Sequence, residues 1–344
     1  MTKAIIMGGT GVIGRAVALR LLQGGWEVQI GARSEAGMPS DLLAAGAFFT
    51  GFDRRDDGSV AQLLSAGADL LVDCLAFTRD DVRRVLPHLT GVGSAVMLSS
   101  KAVYVDADGR HVNSEDAPRF EAPVREDNPV MAPSDINYRS RLGYGSNKVA
   151  AERAYLDSGY PVTVIRASKV HGVGALPARE WHVVRRILEE RNVVFLRHPD
   201  AVDHTSAAVN IAALVETVAA RPGLRVLNSA DPDTPSVAQI CRTIAARLGH
   251  TWREVGVPAT GPADLGRTPW DAGSPIVLDL SGAHELGYTP VGDYAATVGP
   301  TVDWLVAEAR VRGVVSVQPT DFFEGLFNYD AEDRSLSTSP TSAQ

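Results

Sequence analysis

Cysteine is scarce: the 344 residues hold only Cys74 and Cys241. Two thiols cannot build a disulfide framework or a cysteine-based metal cluster, and both sit in apolar runs, as small core side chains do. The expected compartment is reducing. Long apolar runs are lacking too, since no segment approaches the roughly 18 uncharged residues that a membrane-spanning helix needs. The start of the chain, MTKAIIMGG, enters a strand-like run without the charged, apolar and cleavage regions of a secretory signal. A cytoplasmic protein with no membrane partner is expected. Positive charge is in deficit, with 33 Lys+Arg against 41 Asp+Glu and a net charge of −8. That balance repels a phosphate backbone, so no nucleic-acid partner is expected, and the Arg pairs at 83–84 and 185–186 read as solvated helix faces. His171, His182 and His204 lack metal-ligand spacing and read as core or loop histidines, so no metal is expected.

What is present is a globular composition. Hydrophobic residues make up 45% and charged residues 22%, enough apolar material for a sizeable core. Short β-branched runs alternate with helical patterns through the first half: KAIIMGG (3–9), a helix near 12–24, WEVQIGAR (26–33), AFFTGFD (47–53), a helix near 58–66, DLLVDCLA (69–76), a helix near 79–89 and SAVMLSS (94–100). Runs apolar on both faces and separated by helices indicate βαβ units and a parallel sheet covered on both sides. The fold class is α/β, a Rossmann-type doubly wound sheet over 1–170. The run at 224–230 returns to that sheet, within a completing segment of about 203–230, and a smaller interleaved C-terminal substrate lobe is built from 171–202 and 231–312. Residues 105–136 interrupt the alternation with a polar, acidic, Pro-rich stretch. Such a segment is too long for an ordinary connection and reads as a lid over 105–139 or a mobile surface loop. The remainder, 313–344, is a tail. Phe322, Phe323, Leu326 and Phe327 lie at helical spacing as a docked arm, and SLSTSPTSAQ at the end reads as disordered.

Gly8, Gly11 and Gly14 in GGTGVIGR follow the first strand and open the first helix. In a dinucleotide fold one glycine permits the tight turn, the next lets the backbone approach the pyrophosphate, and the third lets helix and strand pack closely. Thr10, Val12 and Ile13 complete the candidate contacts of this loop, and the pyrophosphate belongs at the helix N-terminus. An NAD enzyme would carry a carboxylate at the end of the second strand, whereas this chain has Gly31-Ala32-Arg33-Ser34. Arg33 can pair with a 2′-phosphate, so the expected cofactor is NADPH (NADP), with NADH bound at lower affinity. Asp53, after the third strand, could take the adenine amino group or cap the next turn.

Together with DCLA after the fourth strand, SSKAVY after the fifth, YGSNKVAAE (144–152), VIRASKVHGVG and the late LGYTP and TVDWL, these residues resemble the extended (atypical) short-chain dehydrogenase/reductase family, also called the NAD-dependent epimerase/dehydratase family. The likeness runs from about residue 3 to 306. It implies cofactor contacts at Leu75 and Ala76, a catalytic serine at Ser100, four residues before Tyr104, and a Tyr-x-x-x-Lys pair at Tyr144 and Lys148. Physical reasoning agrees, because residues four apart on a helix share a face. The Lys148 ammonium can draw the Tyr144 pKa toward the working pH and hold the nicotinamide ribose, while Ser100 orients a carbonyl oxygen that Tyr144 protonates. The resemblance also implies a homodimer through the helices near 79–89 and 144–158.

Several positions depart from the family pattern. Lys101 and Ala102 follow Ser100 where sugar-nucleotide dehydratases carry an Asp-Glu pair. In AVDHTSAAVNIA (201–212) the arginine for a substrate diphosphate is missing and Asn210 replaces an aspartate. These departures favour an NADPH-dependent ketoreductase acting on a small ketone, cyclic or aromatic. A nucleotide-sugar epimerase or oxidoreductase is the alternative, and a non-catalytic NADP-binding regulator or RNA-associated protein is the alternative of another class. Arg139 and Arg141 could contact a substrate anion or the acids of the lid, and Trp181 either lines the substrate pocket or packs in the core.

Overall fold

The structure, a computed structural model, describes residues 2–121, 123–258 and 260–338. The strands are β1 Lys3–Met7, β2 Glu27–Ala32, β3 Phe48–Gly51, β4 Ala68–Asp73, β5 Val92–Ser100, β6 Val162–Ala167, β7 Lys169–His171, β8 Val193–Leu196, β9 Thr205–Ala207, β10 Arg225–Ser229 and β11 Arg253–Gly256. The helices are α1 Val12–Gln23, α2 Ser40–Ala44, α3 Asp57–Leu64, α4 Arg79–Val85, α5 Gly143–Leu156, α6 Trp181–Leu188, α7 Ala208–Ala219, α8 Val237–Arg247, α9 Ser281–Glu285, α10 Tyr294–Thr297, α11 Gly299–Arg312 and α12 Tyr329–Thr338.

Seven strands form one parallel sheet in the order β10-β6-β5-β4-β1-β2-β3. The central strands are apolar on both faces because both are covered. Ala4 and Ile6 pack beneath α1 and α7, while Ile5 and Met7 pack beneath α3, α4 and α5. The chain order reverses between β1 and β4, which opens a crevice at their C-terminal ends, the place where open α/β sheets bind ligands.

A second core forms around α6, α8 and α11, with Trp181 and Trp270 buried in it. Trp181 is therefore a packing residue. Against the expectation that 203–230 completes the main sheet, β9 pairs with β7 in a separate two-stranded sheet, and β10 alone closes the large one. Further differences lie in the tail. Residues 318–328 run through turns rather than a helix, with Phe323 and Leu326 buried, and α12 continues through Thr338 where the sequence suggests disorder. The reason is tertiary: Glu332 forms a buried ion pair with Arg186 of α6 at 2.8 Å, and Arg186 also donates to the Leu326 carbonyl. The last six residues of SLSTSPTSAQ lie outside the described residues.

Between Tyr104 and α5 the chain has little regular structure but many ties. Tyr104 bridges to Val130 and Val124 to Leu278. Asp106 accepts from the Asp108, Arg110 and Arg119 amides and from the Arg110 guanidinium, which together hold its carboxyl well below the usual range. Residues 112–118 lie at the mouth of the cavity described next.

Candidate active site

The site begins with the turn after β1. Gly8 has φ 82°, a left-handed conformation that favours glycine, and its amide bonds the Gly31 carbonyl at 2.9 Å. Gly11 caps α1 with no side chain on the first-turn amides, so those N–H groups face the crevice unblocked. A Cβ on Gly14 would run into the Gly8 carbonyl oxygen and come within 2.6 Å of Gly9 Cα. The loop thus forms a cradle that backbone alone can fill, which suits a pyrophosphate. Gly14→Ala is expected to cost about 1–3 kcal/mol by overpacking and to weaken binding of a nicotinamide dinucleotide. Thermal melts and a cofactor titration check this, and no change in either would remove the glycine from the cradle.

From the loop a cavity of about 540 Å³ runs toward β2 and β3, lined by Gly8, Thr10, Arg33, Asp53, Arg55 and Leu75 among others. Its shape and position suit the adenosine half of a dinucleotide. Arg33 and Arg55 are exposed and have no side-chain partner among the described residues, whereas Arg139 lies beside Tyr138. Asp53 lines the cavity while its carboxylate accepts from the Arg55 amide at 2.9 Å. Arg54 turns inward instead. It grips Asp73 with two bonds of 2.6 and 2.7 Å and donates to the Asp81 carbonyl, and Tyr155 also donates to Asp73 at 2.6 Å.

A second cavity, about 720 Å³, adjoins the first at Phe77 and brings together Val12, Ile13, Ser100, Tyr144 and Lys148. Ser100 ends β5, and its hydroxyl caps the following turn by accepting from the Ala102 amide at 3.2 Å. Tyr144 and Lys148 leave one face of α5 a turn apart. That helix is anchored by a buried triad in which Arg166 of β6 holds Glu152 at 2.7 Å and Ser99 donates to Glu152. The Tyr144 hydroxyl faces Ser100. Burial raises its pKa above the ordinary value of 10.0, with Ser100 and the Arg179 guanidinium acting in the opposite direction. Lys148 donates to the Ala76 and Leu98 carbonyls at 2.8 and 2.9 Å and sits 4.4 Å from the Phe77 ring centre. Burial lowers its pKa to about 8. The groups that draw the Tyr144 pKa down are thus Ser100 and Arg179 rather than the expected Lys148, and desolvation outweighs both. Cys74 also lines this cavity, but burial pushes its thiol up to about 12, which leaves it a neutral packing group.

The far wall carries charges that local patterns do not reveal. Lys101 and Lys169 both pair with Asp203, the latter at 2.9 Å, and Arg179 stands beside them. Only Lys101, adjacent to Ser100, offered a sequence signal. Among the other candidates, Ala76 contributes its carbonyl to Lys148, and Gly11 and Gly14 shape the turn without lining either cavity. Arg141 donates to the Ser114 carbonyl and steadies the segment at the cavity mouth. Asn210 is buried, bonding Asp231 and the Gly292 carbonyl. Two of the histidines meet at Asp231, His171 on its carboxylate and His204 on its carbonyl, while His182 contacts Arg186.

The sequence profile of the NAD dependent epimerase/dehydratase family matches residues 4–202, more than half of the chain. Among curated proteins no match is found. The fold is similar to that of dTDP-glucose 4,6-dehydratase from Bacillus anthracis str. Ames, solved in complex with NAD, with a TM-score of 0.67 and 14% identity over 90% of this chain and 98% of that one. UDP-glucuronic acid 4-epimerase from Bacillus cereus, solved with UDP-glucuronic acid and NAD, gives 0.67 and 14% over 88% and 98%. UDP-glucose 4-epimerase from Thermotoga maritima gives 0.66 and 18% over 89% and 99%. Among the described residues no helix is long and apolar enough to cross a membrane. With a seven-stranded doubly wound sheet, a glycine cradle at its switch point and a family match across the first 202 residues, the chain belongs to the NAD dependent epimerase/dehydratase family and is an enzyme of the extended short-chain dehydrogenase/reductase type.

Proposed function

We propose that the protein is an NADPH-dependent ketoreductase for a small ketone, cyclic or aromatic. The observation that carries this reading is the convergence of Ser100, Tyr144 and Lys148 in one cavity that adjoins the cofactor crevice. The cradle at Gly8, Gly11 and Gly14, with Thr10, Val12 and Ile13, would hold the pyrophosphate. Arg33 would meet the 2′-phosphate, Asp53 and Leu75 would flank the adenosine, and Lys148 with the Ala76 carbonyl would meet the nicotinamide end. When bound, NADPH supplies a hydride.

The residues of the chain do the remaining work. Ser100 donates a hydrogen bond to the substrate carbonyl oxygen and polarises it. Tyr144, fully protonated at neutral pH because burial raises its pKa, gives its phenolic proton to that oxygen as negative charge develops there. The tyrosinate left behind is stabilised by the Arg179 guanidinium, with the Lys148 ammonium one turn along. The segment 105–139, whose residues 112–118 stand at the mouth, acts as the lid that keeps water from the reacting centre.

Arg33 and Arg55, both without a side-chain partner at the adenosine end, support NADPH over NADH. Arg33→Ser is expected to reduce that preference by about 10–100-fold, the loss of one charge-assisted contact, as read by titrating both cofactors. An equal loss for both, or none, would take the 2′-phosphate away from Arg33. The principal test is turnover of cyclic and aromatic ketones by purified protein with NADPH. A nucleotide-sugar epimerase is the second reading, favoured by the ligands of the similar Bacillus cereus structure, UDP-glucuronic acid and NAD. It gains if the purified protein retains NAD and binds UDP, and reduces no ketone.

A further inference from the structure

Among the described residues two cations of the substrate cavity, Lys148 and Arg179, have no carboxylate bonded to them, and Lys148 is met by the Ala76 and Leu98 carbonyls. Arg179 lies just before α6, lines the cavity, and has its Nε buried with no hydrogen-bond partner. Its only bond is a long one of 3.4 Å to the Val170 carbonyl, and the Phe322 ring lies 5.8 Å away on its other side. A guanidinium carries five donors, and leaving them unmet in a partly buried place is costly unless a ligand meets them. The neighbouring wall does not supply the missing anion. Asp203 is already shared by Lys101 and Lys169. Asp271 is engaged by the Thr268 amide and hydroxyl at 3.1 and 2.7 Å, and Glu180, next in the chain, acts on Arg179 electrostatically but makes no hydrogen bond to it; the Tyr294 hydroxyl donates to its Oε1 at 3.4 Å and its Oε2 is buried without a partner. Glu115, at the mouth, is exposed. The inner wall therefore brings Lys101, Lys169 and Arg179 around Asp203 and Asp271, both already engaged; burial and mutual repulsion lower the Lys101 pKa and bring that of Lys169 to about 7, so Arg179 is the one of the three that keeps its charge.

We propose that Arg179 is a specificity residue that receives a carboxylate of the substrate, so that the ketone reduced here is a compact keto acid. This rests on the reading that the cavity at Ser100 and Tyr144 is the substrate site. The planar fork of arginine matches a carboxylate in bidentate geometry. Proximity decides which anion fits: Arg179 acts electrostatically on the Tyr144 hydroxyl, so an anion docked on it lies close to the carbonyl being protonated. A carboxylate attached near the carbonyl satisfies that placement, whereas a nucleoside diphosphate would hold its charge farther from the reacting carbon.

The test compares benzoylformate with its methyl ester, which keeps the ketone and removes the charge. Binding to the NADP-loaded protein is measured by calorimetry, and NADPH oxidation is followed in parallel, for the unmodified protein, R179Q and R179K. The unmodified protein is expected to bind the acid roughly 10–100-fold more tightly than the ester. R179Q should abolish the preference and leave ester binding unchanged, and R179K should retain part of it. Equal affinity for acid and ester, or a preference that survives in R179Q, overturns the proposal. UDP in place of benzoylformate distinguishes the other source of negative charge: if UDP binding depends on Arg179 and benzoylformate binding does not, the site takes a diphosphate and the proposal fails. Should R179Q not fold, the acid-to-ester ratio of the unmodified protein decides. An acid preference without turnover of any ketone would sink the reductase reading alone, and turnover without that preference would sink only the subsite.

Discussion

Tyr144→Phe is expected to lower the rate of ketone reduction by about 10²–10⁴-fold, the usual worth of a positioned general acid, while NADPH affinity stays unchanged. The substitution keeps the ring and its packing and removes only the hydroxyl that faces Ser100. The loss should therefore fall on kcat rather than on binding. A variant that kept its rate would assign proton delivery to another group. The pH profile supplies an independent check. Burial moves the two groups of the Tyr-x-x-x-Lys pair apart, the tyrosine above 10.0 and the lysine down to about 8, so Lys148 is the first to titrate as pH rises. Since kcat/KM reports the free enzyme, it should fall as pH passes upward through about 8. A profile flat to pH 10 would mean that the Lys148 charge plays no part in the reaction.

Arg54→Met is expected to destabilise the fold by about 3–5 kcal/mol, because removing one partner of a buried ion pair strands the other. Against a typical stability of about 5–15 kcal/mol this is a large share. Asp73 is fully buried and receives two bonds from Arg54, one from Tyr155 and one from the Leu75 amide at 2.9 Å. Burial alone would raise the Asp73 pKa, but Arg54 and these bonds hold it below the ordinary 3.8. A depressed carboxylate contributes stability that is present above its unfolded-state pKa and is lost as pH falls through the folded-state one. In the variant the opposing cation is gone, so burial raises Asp73 and the charged form becomes the costly one. The gap between the two proteins should be widest at neutral pH, begin to narrow as pH falls through the raised Asp73 pKa of the variant, and narrow further below 3.8 as the parent protein loses its own contribution. Urea denaturation at neutral and acid pH measures both quantities. A loss under about 1 kcal/mol, or a gap independent of pH, would mean that water or repacking replaces the guanidinium.

These two residues lie at opposite ends of what the sequence discloses. Tyr144 and Lys148 are legible because their relation is local: four residues on one helix share a face whatever the rest of the chain does. Gly8, Gly11 and Gly14 are legible for the same reason, since a strand, a turn with positive φ and a helix N-terminus fit within a dozen residues. Arg54, in contrast, stands in the run Asp53-Arg54-Arg55, where nothing in the order of residues says that the middle arginine turns inward to Asp73 and its neighbour Arg55 outward. Likewise, Glu332 anchors a helix that composition suggests should not form, through a partner 146 positions away.

By itself, then, the amino-acid sequence determined the alternating α/β fold, the cofactor cradle and the Tyr144–Lys148 face, all of them consequences of short-range periodicity and turn geometry. Tertiary structure alone decided which charges are paired. Lys101 follows β5, Lys169 opens β7, Asp203 precedes β9 and Arg179 precedes α6, so the four meet only in the folded chain, and which of the cations reaches Asp203 depends on distances that no local pattern encodes.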